Sequence, residues 1–251
     1  MQTIKNVQID PLAIVQEVDI TDDDLKFKTP FAMSISGASM SGKSQFIVRL
    51  IENRHLLFDA EIKRIIYCVP ETLALRPNPI FEQIKATFPT AELNLGLPDI
   101  VKLNLTLAAN SGVLLCIDDL MKSFFENEDM LTLLTAGVHH LALNLIFVIQ
   151  DHYLNAKHRL TFMKNCSYRV IFFNRLDLTE IRTISTQICQ QPKFLLDSFE
   201  FLKKEYPDEP AYIVFDGCGK SPLKNLFVRS QIFPVGGQTR PVFFLPKNVL
   251  K

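Results

Sequence analysis

One segment restricts the fold more than any other: Ala32-Met-Ser-Ile-Ser-Gly37-Ala38-Ser39-Met40-Ser41-Gly42-Lys43-Ser44-Gln45, continued by Phe46-Ile-Val-Arg-Leu-Ile51. It sets a GxxxxGK[ST] pattern between an apolar run that reads as a buried strand and a run with helical spacing (Phe46, Ile47, Leu50, Ile51). Gly37 and Gly42 permit a backbone path that a Cβ would obstruct. Successive N–H groups can then turn inward at a helix N-terminus and cradle a polyphosphate. In that geometry Lys43 reaches the β- and γ-phosphates and Ser44 offers its hydroxyl to Mg²⁺. Residues Gly37, Ala38, Ser39, Met40, Ser41, Gly42, Lys43, Ser44 and Gln45 are therefore the candidate nucleotide-binding set. The alternative is a glycine-rich turn with an incidental lysine.

The rest of the chain supplies the elements such a loop needs. After Ala32–Ser36, apolar runs at Glu61–Val69, Gly112–Ile117, Asn144–Ile149, Tyr168–Phe173 and Ala211–Phe215 read as strands, with Pro70 stopping the first of them. Pro77, Pro79, Pro89 and Pro98 punctuate a loop and a short helix, and Asp129 to Leu134 reads as helical. Strands alternating with helical patterns predict an α/β fold, a mainly parallel central sheet with helices on both faces. At 251 residues and 47% hydrophobic the chain can bury a full core as one domain. That domain is expected over residues 30–251. Residues 1–29, with the acidic run Asp19-Ile-Thr-Asp-Asp-Asp24, form an N-terminal lead-in segment, read as a solvated surface piece or a subunit-contact arm.

Zero formal net charge rules out a nucleic-acid contact based on bulk basicity; a local groove or an assembled ring would have to supply it. The five cysteines are scattered, with no CxxC pair and no metal-ligand spacing, and read as reduced core residues. No signal-peptide pattern opens the chain, and no run of about 18 apolar residues suggests a membrane span. A soluble intracellular protein is expected, with no membrane partner.

Two further patterns add chemistry to the loop. Val113-Leu-Leu-Cys-Ile117 is an apolar strand ending in Asp118-Asp119, which is how a Walker B acid is placed beside Mg²⁺ at the C-terminal edge of a sheet. Asp118 would hold the metal with Ser44, and Asp119 would orient or deprotonate the attacking water. The plainer reading is a carboxylate pair capping the next helix. Gln150 closes the following strand and would sense the γ-phosphate or align water if that strand lies between the Asp118 strand and the Gly37 strand; otherwise it merely ends a strand. The order of Walker A loop, intervening strand, double acid and strand ending in Gln is that of the additional-strand P-loop NTPases (RecA/FtsK-like). It points to hydrolysis that drives motion.

Here the chain resembles the viral genome-packaging ATPases of the FtsK/HerA superfamily, including the poxvirus-type enzyme and relatives in Polinton-like and adintovirus-like elements. The residues that carry the likeness are Gly37 to Gln45, Cys116-Ile-Asp-Asp-Leu-Met121, and Thr135-Ala-Gly-Val-His-His140 running into Asn144-Leu-Ile-Phe-Val-Ile-Gln150. The likeness extends to Phe173-Asn-Arg-Leu-Asp177 and ends near Pro234. It implies ATP-driven translocation of double-stranded DNA into a preformed capsid, through a capsid protein or portal vertex. The motor would be a homo-oligomeric ring, pentamer or hexamer, acting where virions assemble, in nucleus or cytoplasm, and remaining associated with them. The chain departs from the pattern at Asp151-His-Tyr153 and across Arg159 to Asn165.

A ring motor needs a positive charge delivered across the subunit interface to the γ-phosphate. Arg159 and Arg175, read as loop residues, are the candidates, and Arg182 is a third; the alternative for each is a solvated or acid-paired arginine. His139 and His140 point in different directions and make a poor metal site. Gly217-Cys-Gly-Lys-Ser221 lacks the first glycine of a second phosphate loop, since Val214 stands there, and reads as a turn whose Lys220, with Lys224, could touch DNA. Lys122 to Asp129 reads as a loop after the double acid that moves with hydrolysis and carries pore contacts. The rivals to the packaging motor are an FtsK/HerA-type pump for conjugation or segregation, a nucleotide or nucleoside kinase, and a non-motor ATP-binding switch.

Overall fold

A computed structural model describes residues 3–4, 18–19, 21–73, 77–103, 112–150, 158–220 and 228–246. Two short strands, β1 (Thr3–Ile4) and β2 (Val18–Asp19), pair with each other. The other strands form one nine-stranded sheet: β3 (Ala32–Ser36), β4 (Arg64–Val69), β5 (Glu92–Leu95), β6 (Val113–Ile117), β7 (Asn144–Ile149), β8 (Tyr168–Phe172), β9 (Tyr212–Asp216), β10 (Val228–Ser230) and β11 (Val242–Phe243). Their order is β11-β10-β9-β8-β3-β7-β6-β4-β5. From β8 to β5 every neighbouring pair is parallel, whereas β9, β10 and β11 continue the sheet antiparallel.

Inside the edge strand β5, both faces of the parallel part are covered, which is why those strands read as unbroken apolar runs. Along β7, Ile146 and Val148 face one core while Leu145, Phe147 and Ile149 face the other. The first core is closed by α1 (Lys43–Glu52), with Phe46, Ile47, Leu50 and Ile51, then by the short α2 (Arg54–Leu57) and by α3 (Pro79–Thr87), with Phe81 and Ile84. Asn78 starts α3: its Oδ1 accepts from the N–H groups of Ile80 and Phe81, and Pro79 occupies a first-turn position that needs no donor. The second core is closed by α4 (Met121–Glu126), α5 (Glu128–Thr132), a π-helical turn at Leu133–Gly137, α6 (Val138–His140) and α7 (Arg159–Lys164). On that same face, α8 (Leu178–Cys189) and α9 (Phe194–Glu205) pack over Ile171 and Ile213.

The six strands read from sequence are all present, with small shifts at their ends. The proline-punctuated stretch holds α3 but also β5, which is mostly exposed at the sheet edge and so carries no apolar run to betray it. The segment after the double acid is not the loop expected. Residues 121–126 form α4, and Phe124 and Phe125 are buried against Phe147 and Phe162, with ring centroids 4.5 to 6.2 Å apart. Burying each such ring contributes roughly 1.5–3 kcal/mol, so this segment is anchored. Lys122 remains exposed on its outer side.

The core also takes in residues ahead of position 30. Leu25 and Phe27 are buried, and the Phe27 N–H donates to Leu57 O at 2.7 Å. Among the described residues no helix is long and apolar enough to cross a membrane.

Candidate functional site

The site lies where β3, β7 and β6 end side by side. β3 runs into Gly37, β7 ends before Gln150, and β6 delivers Asp118 and Asp119, with β7 hydrogen-bonded to both neighbours. Sequence reading made the role of Gln150 conditional on that placement, and the strand order meets the condition.

The loop from Gly37 to Gly42 adopts backbone angles that require its glycines. Gly37 has φ 150°, and a Cβ there would come within 2.6 Å of the Phe172 Cβ on β8. Gly42, with φ 100°, starts α1 without any side-chain cap, so the first N–H groups of the helix have no side chain competing for them. Met40 is also left-handed, with φ 62°, and stands fully exposed at the crown of the loop, beside an exposed Ser39. Ala38 is half-buried, the buried Ser41 Oγ has no partner among the described residues, and Gln45 is exposed on the first turn of α1.

Lys43 is only 6% exposed, and its Nζ donates to Gly37 O at 2.8 Å and Ala38 O at 2.6 Å. Burial lowers the pKa of this ammonium, and the charges of Asp119 and Asp118 oppose the shift. Ser44 Oγ donates to Asp118 Oδ2 at 2.6 Å. Gln150 Nε2 donates to Asp119 Oδ1 at 3.0 Å, and Asp119 holds a left-handed backbone, φ 55°. Lysine, both acids, the serine and the glutamine thus converge on one rim.

Tyr67 joins this group, a participant sequence reading missed. Its hydroxyl donates to Asp118 Oδ2 at 2.6 Å from β4, on the far side of β6 from the loop. In sequence, Ile-Ile-Tyr-Cys-Val is simply an apolar strand. The available signal was its pairing register, which sets Tyr67 beside Cys116, close to the acid pair, and which only the folded sheet displays. Asp118 is 4% exposed; Oδ2 accepts both hydroxyls, while buried Oδ1 has no partner among the described residues. Burial pushes this carboxyl above the usual carboxylate range, against the pull of the Ser44 and Tyr67 hydrogen bonds. Burial and the neighbouring Asp118 charge push the Tyr67 phenol far up, so it stays a proton donor.

Those features fit a hard divalent cation and a polyphosphate. A buried, unpaired carboxylate oxygen next to a serine hydroxyl is an oxygen donor set of the kind Mg²⁺ takes, and the uncapped start of α1 with Lys43 suits phosphate oxygens.

The candidate arginines stand on other elements. Arg175 is exposed in the turn after β8, near Phe172 and hence on the loop's side of the sheet. Arg159 is not in a loop: it is the first residue of α7 and half-buried. Arg182 is exposed on α8. His140 is exposed and lines an apolar groove of about 280 Å³ with Ile100, Asp129 and Leu133. Lys220 is exposed in a turn after β9; Lys224 and the departure at Asp151-His-Tyr153 lie outside the described residues.

No protein-family model matches the chain, and no curated protein matches it in sequence. Among solved structures it is similar to the genome packaging NTPase B204 from Sulfolobus turreted icosahedral virus 2 in complex with ATP-gammaS, at 16% identity over 74% of this chain and 92% of that one, TM-score 0.46. It is also similar to EssC (ATPases 2 and 3) from Geobacillus thermodenitrificans, at 12% identity over 64% of this chain and 34% of that one, TM-score 0.43. A third is the cytoplasmic domain of the Thermomonospora curvata type VII secretion ATPase EccC, at 12% identity over 65% of this chain and 21% of that one, TM-score 0.43. Likenesses this distant carry no weight for function, which has to be read from the site.

Proposed function

We propose that this chain is an ATP-hydrolysing motor subunit of the additional-strand P-loop type that translocates double-stranded DNA, and that its cargo is a viral genome packaged into a capsid. One observation carries the hydrolytic part: β7 stands between the strand feeding the loop and the strand ending in the acid pair, so that Ser44 meets Asp118 and Gln150 meets Asp119 on one rim. The capsid and DNA part rests on the resemblance carried by Cys116 to Met121 and Thr135 to Gln150.

In this reading the loop N–H groups and Lys43 bind the phosphates of ATP, and Ser44 and Asp118 hold Mg²⁺. The metal, when bound, neutralises charge on the β- and γ-phosphate oxygens. Asp119 takes the proton of the attacking water, and Gln150 fixes the orientation of that carboxylate through its amide. Exposed Arg175, or Arg159, is donated to the site of a neighbouring copy in a homo-oligomeric ring. The ring lumen concentrates basic side chains that a neutral monomer spreads out.

The deciding measurement is the ATPase rate with and without double-stranded DNA, run beside Lys43→Ala. Strong DNA stimulation that the substitution abolishes is the expected result. Turnover that responds to a nucleoside acceptor and not to DNA would replace the motor with a kinase. An Asp119→Asn protein that keeps full biological activity would replace it with a switch.

A further inference from the structure

The Asp118 carboxylate has two oxygens in different circumstances, and Tyr67 is what distinguishes them. Asp118 is held at its backbone by its N–H, which donates to Cys68 O at 2.9 Å. That bond leaves the rotation of the carboxylate to its side-chain partners, the hydroxyls of Ser44 and Tyr67, both on Oδ2. Ser44 belongs to the candidate metal set: its hydroxyl hydrogen goes to the carboxylate while an oxygen lone pair is claimed by the cation, so its position answers to both. Tyr67 has no such second claim. Its ring is 1% exposed on β4 and lies parallel to Phe81 of α3, interplanar angle 13° with centroids 6.3 Å apart, which leaves it little freedom to leave Oδ2.

We propose that Tyr67 is a positioning residue for the metal site: by holding Oδ2 of Asp118 it presents the unpartnered Oδ1 to the cation. This rests on the ATPase reading above, to which it adds a residue from a strand that carries no nucleotide motif. Leaving a buried acceptor unpaired is unfavourable, so a carboxylate free to turn would share its two oxygens among the available donors. Tyr67 prevents that turn. It also links the metal site to α3, because a shift of Phe81 would carry the phenol with it.

The test compares full-length wild type with Tyr67→Phe, which keeps the ring and its stacking. Binding of a fluorescent ATP analogue is followed as Mg²⁺ is titrated, and again in EDTA, with thermal unfolding of both proteins. The expected outcome is a Mg²⁺ midpoint raised about 10-fold, the size usual for a partner that orients a metal ligand, with binding in EDTA unchanged. In an Asp118→Asn background, adding Tyr67→Phe should change the Mg²⁺ midpoint no further, since the two act through one contact. A midpoint that does not move, or a loss equal with and without Mg²⁺, means that Tyr67 only fills the core and overturns the inference. If wild type binds the analogue with no response to Mg²⁺ at all, the metal site itself fails and takes both readings with it.

Discussion

Two regions of this molecule bury charge for opposite ends. On the rim where β3, β7 and β6 finish, Lys43 and Asp118 are nearly inaccessible, yet among the described residues one oxygen of Asp118 has no partner and Lys43 bonds to carbonyls of its own loop alone. In the antiparallel flank, Arg229 of β10 is 1% exposed, donates through Nη1 to Leu25 O at 2.8 Å and lies over the Phe27 ring at 5.0 Å, while its Nε and Nη2 have no partner among the described residues. There the buried cation ties the segment ahead of β3 to the far side of the sheet. Burial at the rim holds chemistry in readiness; burial at the flank holds the chain together. Removing a charge should therefore harm activity in one region and stability in the other.

Lys43→Ala tests the contrast most severely. ATP turnover should fall on the order of 100- to 1000-fold, the loss typical of removing one preorganised electrostatic contact, while the denaturation midpoint stays or rises because a desolvated ammonium is gone. Arg229→Met should invert the pattern. We expect about 1–2 kcal/mol less stability in urea, because the lost bond to Leu25 O and the removal of a cation near Asp216 outweigh the relief of a desolvated guanidinium, with nucleotide affinity intact at low temperature.

A pH series sharpens the comparison at the level of one group. The folded pKa of Asp118 lies above its unfolded value, so between the two the folded chain holds more protons, and stability falls as pH rises through that window. Asp118→Asn should flatten this part of the stability profile, as denaturation across the acid range will show, while Arg229→Met leaves it in place. Mg²⁺ requires the ionised carboxylate, so Mg²⁺-dependent nucleotide binding should weaken as pH falls through the same window. The smallest effect is expected from Gln150→Ala. Its exposed amide donates to the outer acid, so turnover should drop about 10-fold, measured by single-turnover hydrolysis, with nucleotide affinity and stability little changed.

Reading the sequence went furthest where function and local pattern coincide. The loop, the acid pair and Gln150 each sit at the end of an apolar strand, and strands buried on both faces are the easiest to recognise. It went wrong at residues 122–129, where charged neighbours hid the two phenylalanines that pin α4 to the core. It missed β5 because an exposed edge strand lacks the apolar signature, and the two-residue β11 because so short a strand has no period to detect.

The chain's own letters determined which groups carry the chemistry: two glycines that must take special backbone angles, a lysine and serine beside them, and acids and an amide at strand ends. Those depend on steric rules acting within a few residues. Tertiary structure alone decided that β7 lies between β3 and β6, that a tyrosine from β4 meets Asp118, and that Arg229 reaches a carbonyl 204 positions away in the chain. Strand order and side-chain pairing across it arise from the competition of many distant burial contacts, and no local stretch of sequence contains that competition.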